Sequence, residues 1–269
     1  MNQQTQRLSF QGQAGRMEVL RDDPVGSPLG CAFVAHPHPL FGGTMDNKVV
    51  QTLARAHVQA GWTVFRFNFR GVGASEGVHD AGLGECEDLL SLIAQAAPQG
   101  DLALAGFSFG SFVVSQALQR LLGQREVRSL VFVGTAASRF AVADIPADWA
   151  ARLLVLHGLD DDTVPLQSVL DWAKPQNLPV TVVPAGGHFF HGQLPQLRRW
   201  VHRLHSETEF PRRRYGSSGH HHCCVQRVRW SRLGRPTLQW FFLRWVFRRS
   251  LYSNCRHRLD DVCRDGSAW

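Results

Sequence analysis

The feature that most constrains this chain is a short apolar run that meets a Gly-x-Ser-x-Gly pentapeptide and passes directly into a helix-like pattern. Residues 102–107 form the apolar run, Gly106 and Gly110 flank Ser108, and the helix-like pattern starts at Phe109. A strand, a sharp turn and a helix in this order form a nucleophile elbow, which lifts a serine oxygen clear of the sheet edge. The flanking positions must lack bulk because the turn is tight. Ser108 is therefore the candidate nucleophile.

A second copy of the same pentapeptide stands in a different context. Residues 73–77 also read Gly-x-Ser-x-Gly around Ser75, but they follow Arg70-Gly71-Val72 rather than a strand, and more glycines come before any helical pattern. Because so short a pattern recurs by chance in a glycine-rich chain, the context has to decide between the two serines. Ser75 is interpreted as a loop residue.

Apolar runs alternate with helix-like segments through the first 205 residues. A hairpin is predicted around residues 8–20. Further strands are predicted at residues 29–35, 63–69, 102–107, 127–134, 152–157 and 180–183, and helices at residues 47–60, 85–97, 109–122, 166–174 and 193–205. Strands that alternate with helices of this length predict an α/β fold with a doubly wound, mostly parallel sheet. Such sheets carry their active sites at the carboxyl ends of the strands.

Charge is divided unevenly along the chain. The net charge is +7, of which residues 206–269 contribute +8 through 13 arginines and five acidic residues, leaving −1 on residues 1–205. A near-neutral main domain gives no electrostatic reason to expect nucleic acid or an anionic membrane as a partner. We therefore predict one domain over residues 1–205, with neither of these partners.

Cysteine use and the first residues indicate the compartment. The main domain has two isolated cysteines, Cys31 and Cys86, which do not make a disulfide framework and favour a reducing environment. Residues 1–7 are polar and lack the apolar stretch of a signal peptide. No run approaches the ~18 to 20 apolar residues of a membrane span. These features predict a cytoplasmic protein.

Residues 206–269 form a tail of different composition. Arginine, tryptophan, histidine and cysteine are concentrated there, and lysine is absent. The apolar periodicity ends near His205, where the predicted fold is already complete, which favours a disordered or out-of-frame extension. The alternative is an Arg- and Trp-rich arm that binds a membrane surface or nucleic acid.

Two loops downstream of Ser108 offer the partners that a serine nucleophile needs. A serine hydroxyl needs an imidazole to accept its proton, and the imidazole needs a carboxylate to fix its tautomer. Asp160, Asp161 and Asp162 follow one predicted strand, and His188 follows the next. An Asp-rich turn before a helix also serves as a cap, and a loop histidine can simply be held by backbone bonds. The residues alone leave the acid open among the three aspartates.

Residues 7–205 resemble the α/β-hydrolase superfamily, in its small lidless bacterial branch related to dienelactone-hydrolase-like and short-chain esterase-like proteins. The stretches that carry the resemblance are residues 36–43, residues 68–77, the elbow at Ser108, residues 157–165 and residues 188–190. The family's pattern puts the acid four residues after the histidine of His-Gly and three before Val-Pro, which selects Asp161. The resemblance thus implies a catalytic triad of Ser108, Asp161 and His188.

The oxyanion hole of this fold is built from two backbone N–H groups. One comes from the residue after the nucleophile, here Phe109. The other comes from the loop after the third strand, where the prolines have no N–H and only His38, Leu40 or Phe41 can serve. By resemblance we place this second donor at Leu40.

His36 and His38 in that loop could suggest a metal site. No Asp, Glu or Cys shares a ligand spacing with them, so they are expected to hold the loop instead. No metal and no cofactor are predicted.

The site is expected to be open. Lids in this fold are commonly inserted after the strand that is predicted to end at Gly134, and the 17 residues at 135–151 are too few for a cap domain. Three phenylalanines are the preferred candidate walls of the substrate pocket, with Phe109 and Phe190 as further candidates, and core packing is the alternative for several of the five. The three are Phe41, Phe107 and Phe189.

These residues predict a serine hydrolase that acts on a small-molecule acyl substrate. Ser108 would attack a carboxylic ester or thioester, with His188 as general base and an acyl-enzyme as intermediate. A serine peptidase on the same fold is one alternative. A binding protein that keeps the fold without turnover is the other. The oligomeric state is not assigned.

Overall fold

An eight-stranded sheet lies at the centre of residues 5–208, the part of the chain that the computed structural model describes. In chain order the strands are β1 Gln6–Gly12, β2 Gly15–Asp22, β3 Cys31–Ala35, β4 Thr63–Phe67, β5 Leu102–Phe107, β6 Val127–Val133, β7 Leu153–Gly158 and β8 Val180–Val183. Their order across the sheet is β1-β2-β4-β3-β5-β6-β7-β8. Strand β2 runs antiparallel to both of its neighbours, β1 and β4, and the six strands β3 to β8 run parallel to one another. The predicted α/β fold with a mostly parallel sheet is confirmed.

Helices cover both faces of the sheet. They are α1 Lys48–Gln59, α2 Leu83–Ala96, α3 Phe109–Leu121, α4 Leu166–Ala173 and α5 Leu194–Thr208. On one face α2, α3 and α4 bury Leu89, Val113 and Val169 in one apolar cluster. On the other face α1 and α5 bury Val50 and Leu197 in a second cluster. Burial on both faces explains why the central strands read as continuous apolar runs.

Most predicted boundaries agree with the structure to within two residues. Helix α1 begins with a side-chain cap, because Asn47 Oδ1 accepts a hydrogen bond from the Val49 N–H at 2.9 Å. Strand β4 ends at Phe67, two residues before the predicted end, because the Phe69 N–H donates to His36 Nε2. A side chain from the neighbouring loop thus replaces the strand partner.

The connection between β6 and β7 holds one short 3-10 helix, Ala147–Trp149. No cap domain is inserted there, as predicted. The carboxyl ends of β3 to β8 are therefore not covered by a domain from this segment.

The last described helix runs past the predicted end of the main domain. Helix α5 continues to Thr208, whereas the domain is predicted to end at residue 205. Residues 209–269 lie outside the described residues, so the interpretation of the tail stays a prediction. Within residues 5–208, no helix has the length and apolar character needed to cross a membrane.

Candidate active site

Ser108 occupies the sharp turn between β5 and α3. Its backbone has φ 56° and ψ −116°, a conformation that residues with a side chain rarely adopt. The Ser108 N–H donates to the Val133 carbonyl of the adjacent strand at 2.8 Å, which ties the strained turn to the sheet. Strain of this kind persists where the surroundings hold it, and it is concentrated at functional sites.

The two glycines around Ser108 are required by close backbone approach. A Cβ on Gly106 would lie 2.4 Å from the Gly110 carbonyl, and a Cβ on Gly110 would lie 2.4 Å from the Ala35 carbonyl. Both obstacles are backbone atoms, which cannot move aside as a flexible side chain can. The absence of bulk expected from the sequence thus has a direct steric cause.

Ser75, the serine of the second Gly-x-Ser-x-Gly pentapeptide, stabilises a loop. Ser75 Oγ donates to the Asn68 carbonyl at 2.8 Å and accepts from the Glu18 N–H at 2.9 Å. It lies in the loop after β4, as predicted. Its hydroxyl holds this loop against β2, which leaves Ser108 as the serine of the elbow.

Asp161 and His188 are joined by a buried hydrogen bond. His188 Nδ1 lies 2.7 Å from Asp161 Oδ2, and both side chains are almost fully buried. A carboxylate can only accept, so Nδ1 carries the hydrogen and Nε2 has a free lone pair. Asp160 and Asp162 are exposed. The contact therefore selects Asp161 among the three aspartates.

The other oxygen of Asp161 is held by the backbone. Asp161 Oδ1 accepts from the N–H groups of Thr163 at 3.0 Å and Val164 at 2.7 Å. Burial raises the pKa of the Asp161 carboxyl, but the hydrogen bonds from His188 and Val164 outweigh burial, so its pKa lies below the ordinary value. The carboxylate is therefore ionised at neutral pH.

A second imidazole contacts the same carboxylate. His157, the last residue but one of β7, is fully buried, and its Nε2 lies 2.9 Å from the Val164 carbonyl and 3.4 Å from Asp161 Oδ2. Because that carbonyl only accepts, Nε2 carries the hydrogen. Burial lowers the pKa of His157, which keeps its ring neutral. This contact is not predicted from the sequence, where its signal is the position of His157 four residues before Asp161.

The loops that carry Ser108 and His188 meet at the ends of β5 and β6. The His188 ring lies 5.0 Å from the ring of Phe107, the residue before Ser108. A Cβ on Gly134, next to the Val133 that binds Ser108, would lie 3.1 Å from the His188 ring. Within residues 5–208, no hydrogen bond joins Ser108 Oγ to His188. In ligand-free enzymes such bonds are often long and shorten when substrate binds.

The predicted oxyanion donors differ in their availability. Phe109 opens α3, and no acceptor in the described residues binds its N–H, as expected for the first turn of a helix. The Leu40 N–H, by contrast, donates to His38 Nδ1 at 3.2 Å, and the Phe41 N–H donates to the His38 carbonyl at 3.2 Å. Leu40 is therefore a poor choice for the second donor. Among the three amides allowed by the sequence, that of His38 has no acceptor in residues 5–208.

The three predicted pocket phenylalanines have different environments. Phe41 is 76% exposed and Phe189 is 44% exposed, so both are open to a substrate. Phe107 is fully buried in the core, where its ring packs against the rings of His188 and Phe189. The prediction of Phe107 as a wall is thus corrected: its ring faces the core because β5 is buried on both faces. Phe109 and Phe190 are fully buried as well.

His36 and His38 hold the loop after β3. His36 Nδ1 lies 2.6 Å from the Pro37 carbonyl, and its Nε2 accepts from the Phe69 N–H, so the ring bridges the loops after β3 and β4. Burial lowers the pKa of His36 to about 3, which keeps this bridge neutral. The described residues contain no group of three or more His, Cys, Asp or Glu placed to hold a metal ion.

Comparisons with known proteins agree with this architecture. A family model described as the alpha/beta hydrolase fold matches residues 38–152. The crystal structure of XC6422 from Xanthomonas campestris, a serine hydrolase without a lid, is 35% identical, with a TM-score of 0.68; the match covers 76% of this chain and 94% of that protein. A serine hydrolase homologue from Coxiella burnetii is 36% identical, with a TM-score of 0.62; the match covers 74% of this chain and 96% of that protein.

A curated relative is also similar over part of its length. An uncharacterized protein of Rickettsia prowazekii is 41% identical over 119 residues, which are 42% of this chain and 50% of that protein. The chain therefore matches half the length of this relative. The two solved structures are matched over nearly their whole length at more than 30% identity. On that evidence the chain belongs to the α/β-hydrolase family, in the branch without a lid.

Proposed function

We propose that this hydrolase is serine-dependent and cleaves small carboxylic esters or thioesters through an acyl-enzyme on Ser108. The observation that carries the proposal is the 2.7 Å bond between Asp161 and His188, formed at the same sheet edge as the strained elbow of Ser108. A nucleophile, a base and a group that orients the base are the parts that acyl transfer needs.

His188 is the general base of the first step. With Nδ1–H bound to Asp161, its Nε2 accepts the hydroxyl proton while Ser108 Oγ bonds to the substrate carbonyl carbon. The carbonyl π electrons move to oxygen and form an oxyanion. The ionised Asp161 stabilises the imidazolium that results.

Two backbone amides stabilise the oxyanion. Phe109 N–H supplies one, since it has no other acceptor in the described residues. The second donor is the His38 N–H in place of Leu40, because the His38 amide has no acceptor in residues 5–208. Removal of one such donor costs about 3 kcal/mol of transition-state stabilisation.

Collapse of the tetrahedral intermediate breaks the bond to the leaving group. The His188 imidazolium gives its proton to the departing alkoxide or thiolate, and the acyl group stays on Ser108. His188 then removes a proton from water, which attacks the acyl-enzyme and releases the carboxylic acid. The proton returned to Ser108 Oγ restores the free enzyme.

The open site and the serine nucleophile define the substrate class. No cap domain is inserted between β6 and β7, so a small acyl substrate reaches Ser108 from solvent. An elbow serine favours acyl transfer over reactions in which an aspartate attacks. A peptide substrate, or binding without turnover, is the alternative that the experiment must separate.

Labelling with a fluorophosphonate probe tests the proposal. We expect the probe to label the native chain but not Ser108→Ala. The control is Ser138→Ala, which removes an exposed serine outside the elbow and should still be labelled. A panel of nitrophenyl esters, acyl-CoA thioesters and peptides then assigns the substrate class. An unlabelled native chain that hydrolyses none of the panel would indicate a binding protein.

A further inference from the structure

Exposed apolar side chains are concentrated at one edge of the sheet. Residues 5–208 have nine large apolar residues that are exposed, and six of them lie between the carboxyl end of one of the parallel strands β3 to β8 and the first turn of the next helix. We call these six the apolar rim: Leu40, Phe41, Val78, Leu83, Leu159 and Phe189. Scattered exposed apolar residues need no explanation, whereas a group of them at one place on the surface indicates a binding surface.

The apolar rim flanks Ser108 on two sides. Leu40 and Phe41 follow β3, and Val78 and Leu83 follow the neighbouring strand β4. The two loops are in contact, since the rings of His38 and His79 lie 4.8 Å apart. The remaining two members follow β7 and β8. In the order β4-β3-β5-β6-β7-β8, Ser108 follows β5, between these two groups. An apolar chain that passes over the nucleophile would therefore meet the rim in both directions.

Ring contacts connect the rim to the catalytic groups. The Phe189 ring lies 5.2 Å from the His188 ring, beside the general base. On the other side the Phe41 ring lies 4.9 Å from the His38 ring, which in turn lies 4.9 Å from the ring of Phe109, the residue after the nucleophile. The rim is thus continuous with the proposed site on both the base side and the oxyanion side.

We propose that the apolar rim binds an extended apolar chain of the substrate, so that the preferred esters carry aliphatic or aromatic acyl groups of about six carbons or more. This inference rests on the proposed function. The substrate chain fits better than a flat protein partner, because the nucleophile divides the rim and its aromatic members contact the groups that perform the reaction. Exposed fractions of 76% for Phe41 and 75% for Leu83 leave most of their apolar area available to a substrate.

The chain-length dependence of kcat/KM tests this inference. A fully buried methylene contributes about 0.8 kcal/mol, or a factor of nearly four, and an open rim is expected to realise about a factor of two per methylene. Between a butyrate and an octanoate ester we therefore expect kcat/KM to rise on the order of tenfold. In Phe41→Ser and Leu83→Ser the ratio of kcat/KM for the octanoate ester to kcat/KM for the butyrate ester should fall several-fold. The assays use ester concentrations below the critical micelle concentration.

Leu29→Ser is the matched control. Leu29 is also exposed, at 48%, but it precedes β3 and so lies at the opposite edge of the sheet. Its octanoate-to-butyrate ratio should equal that of the native chain. An equal loss in Leu29→Ser would overturn the inference, because a general effect of surface polarity would then explain it.

Other occupants of the rim give different results. If Phe41→Ser leaves the ratio unchanged but dissociates a dimer in analytical ultracentrifugation, the rim is a contact between two copies and the inference is wrong. If it leaves the ratio unchanged but abolishes pelleting with phosphatidylcholine vesicles, the rim binds lipid and the inference is also wrong. An unchanged ratio with Ser108 still labelled by fluorophosphonate refutes the inference alone, whereas loss of labelling in the native chain refutes the proposed function.

Discussion

Replacing Asp161 by asparagine changes the hydrogen bonding of His188 while it preserves the shape of the side chain. In the native chain Oδ1 accepts two backbone N–H groups, from Thr163 and Val164. The asparagine must place its carbonyl oxygen there, because an NH2 group facing two N–H donors would leave all of them unsatisfied. Its NH2 group then faces His188 Nδ1 at the position of the native Oδ2.

That orientation forces the unproductive tautomer of His188. Nδ1 must accept from the asparagine NH2 group, so the hydrogen moves to Nε2, which can no longer take the proton of Ser108. The same substitution at a triad aspartate elsewhere lowers turnover by about 10⁴. We expect a similar loss here, which corresponds to about 5.5 kcal/mol of activation free energy.

The assay is steady-state hydrolysis of a short nitrophenyl ester, with Asp160→Asn and Asp162→Asn as controls. Both control residues are exposed, so their variants should stay within about threefold of the native kcat/KM. Circular dichroism should show native secondary structure in all three variants. An Asp161→Asn variant with more than a tenth of the native activity would refute this reasoning, as would an equal loss in Asp162→Asn.

Three further predictions address the positioning of Asp161, the strain at the elbow and the buried histidines. His157→Phe removes the N–H that binds the Val164 carbonyl beside Asp161 and should lower kcat about fivefold with KM unchanged. His157→Gln, which can keep a donor to that carbonyl, should recover most of kcat, and equal losses in both variants would contradict a positioning role. Ser108→Gly relieves a positive φ and should raise the free energy of unfolding in urea by about 1 kcal/mol, so an unchanged or lower value would argue against strain at the elbow. Burial lowers the pKa of His57 from 6.5 to about 4, so the unfolded chain takes up this proton at higher pH than the folded one, and stability should fall as the pH is lowered from 6.5 to 4. His57→Phe should reduce that fall by up to about 3 kcal/mol, and an unchanged pH dependence of urea unfolding would contradict it.

The positions of the site loops could be predicted because they follow from the sheet. Ser108, Asp161 and His188 each come within five residues of the end of an apolar strand, and parallel strands bring their carboxyl ends to one edge. The choice of Asp161 among three neighbouring aspartates could not be made from spacing alone. It depends on which carboxylate turns inward toward His188, and the two backbone N–H groups that hold Asp161 belong to the folded loop.

The oxyanion loop and the pocket walls could not be predicted from sequence for a similar reason. Whether the Leu40 N–H is free depends on the rotamer of His38, whose Nδ1 accepts from it. Phe107 and Phe41 are chemically identical, but one points into the core from a strand and the other stands on an exposed turn. Side-chain direction in an irregular loop has no periodicity to reveal it.

The measurement that tests the central claim most directly is mass spectrometry of the chain quenched during turnover of a nitrophenyl ester. We predict that the peptide containing Ser108 gains the mass of one acyl group, and that the gain is absent in Ser108→Ala. Efficient hydrolysis without an acylated peptide, or with the acyl group on another residue, would contradict acyl transfer through Ser108.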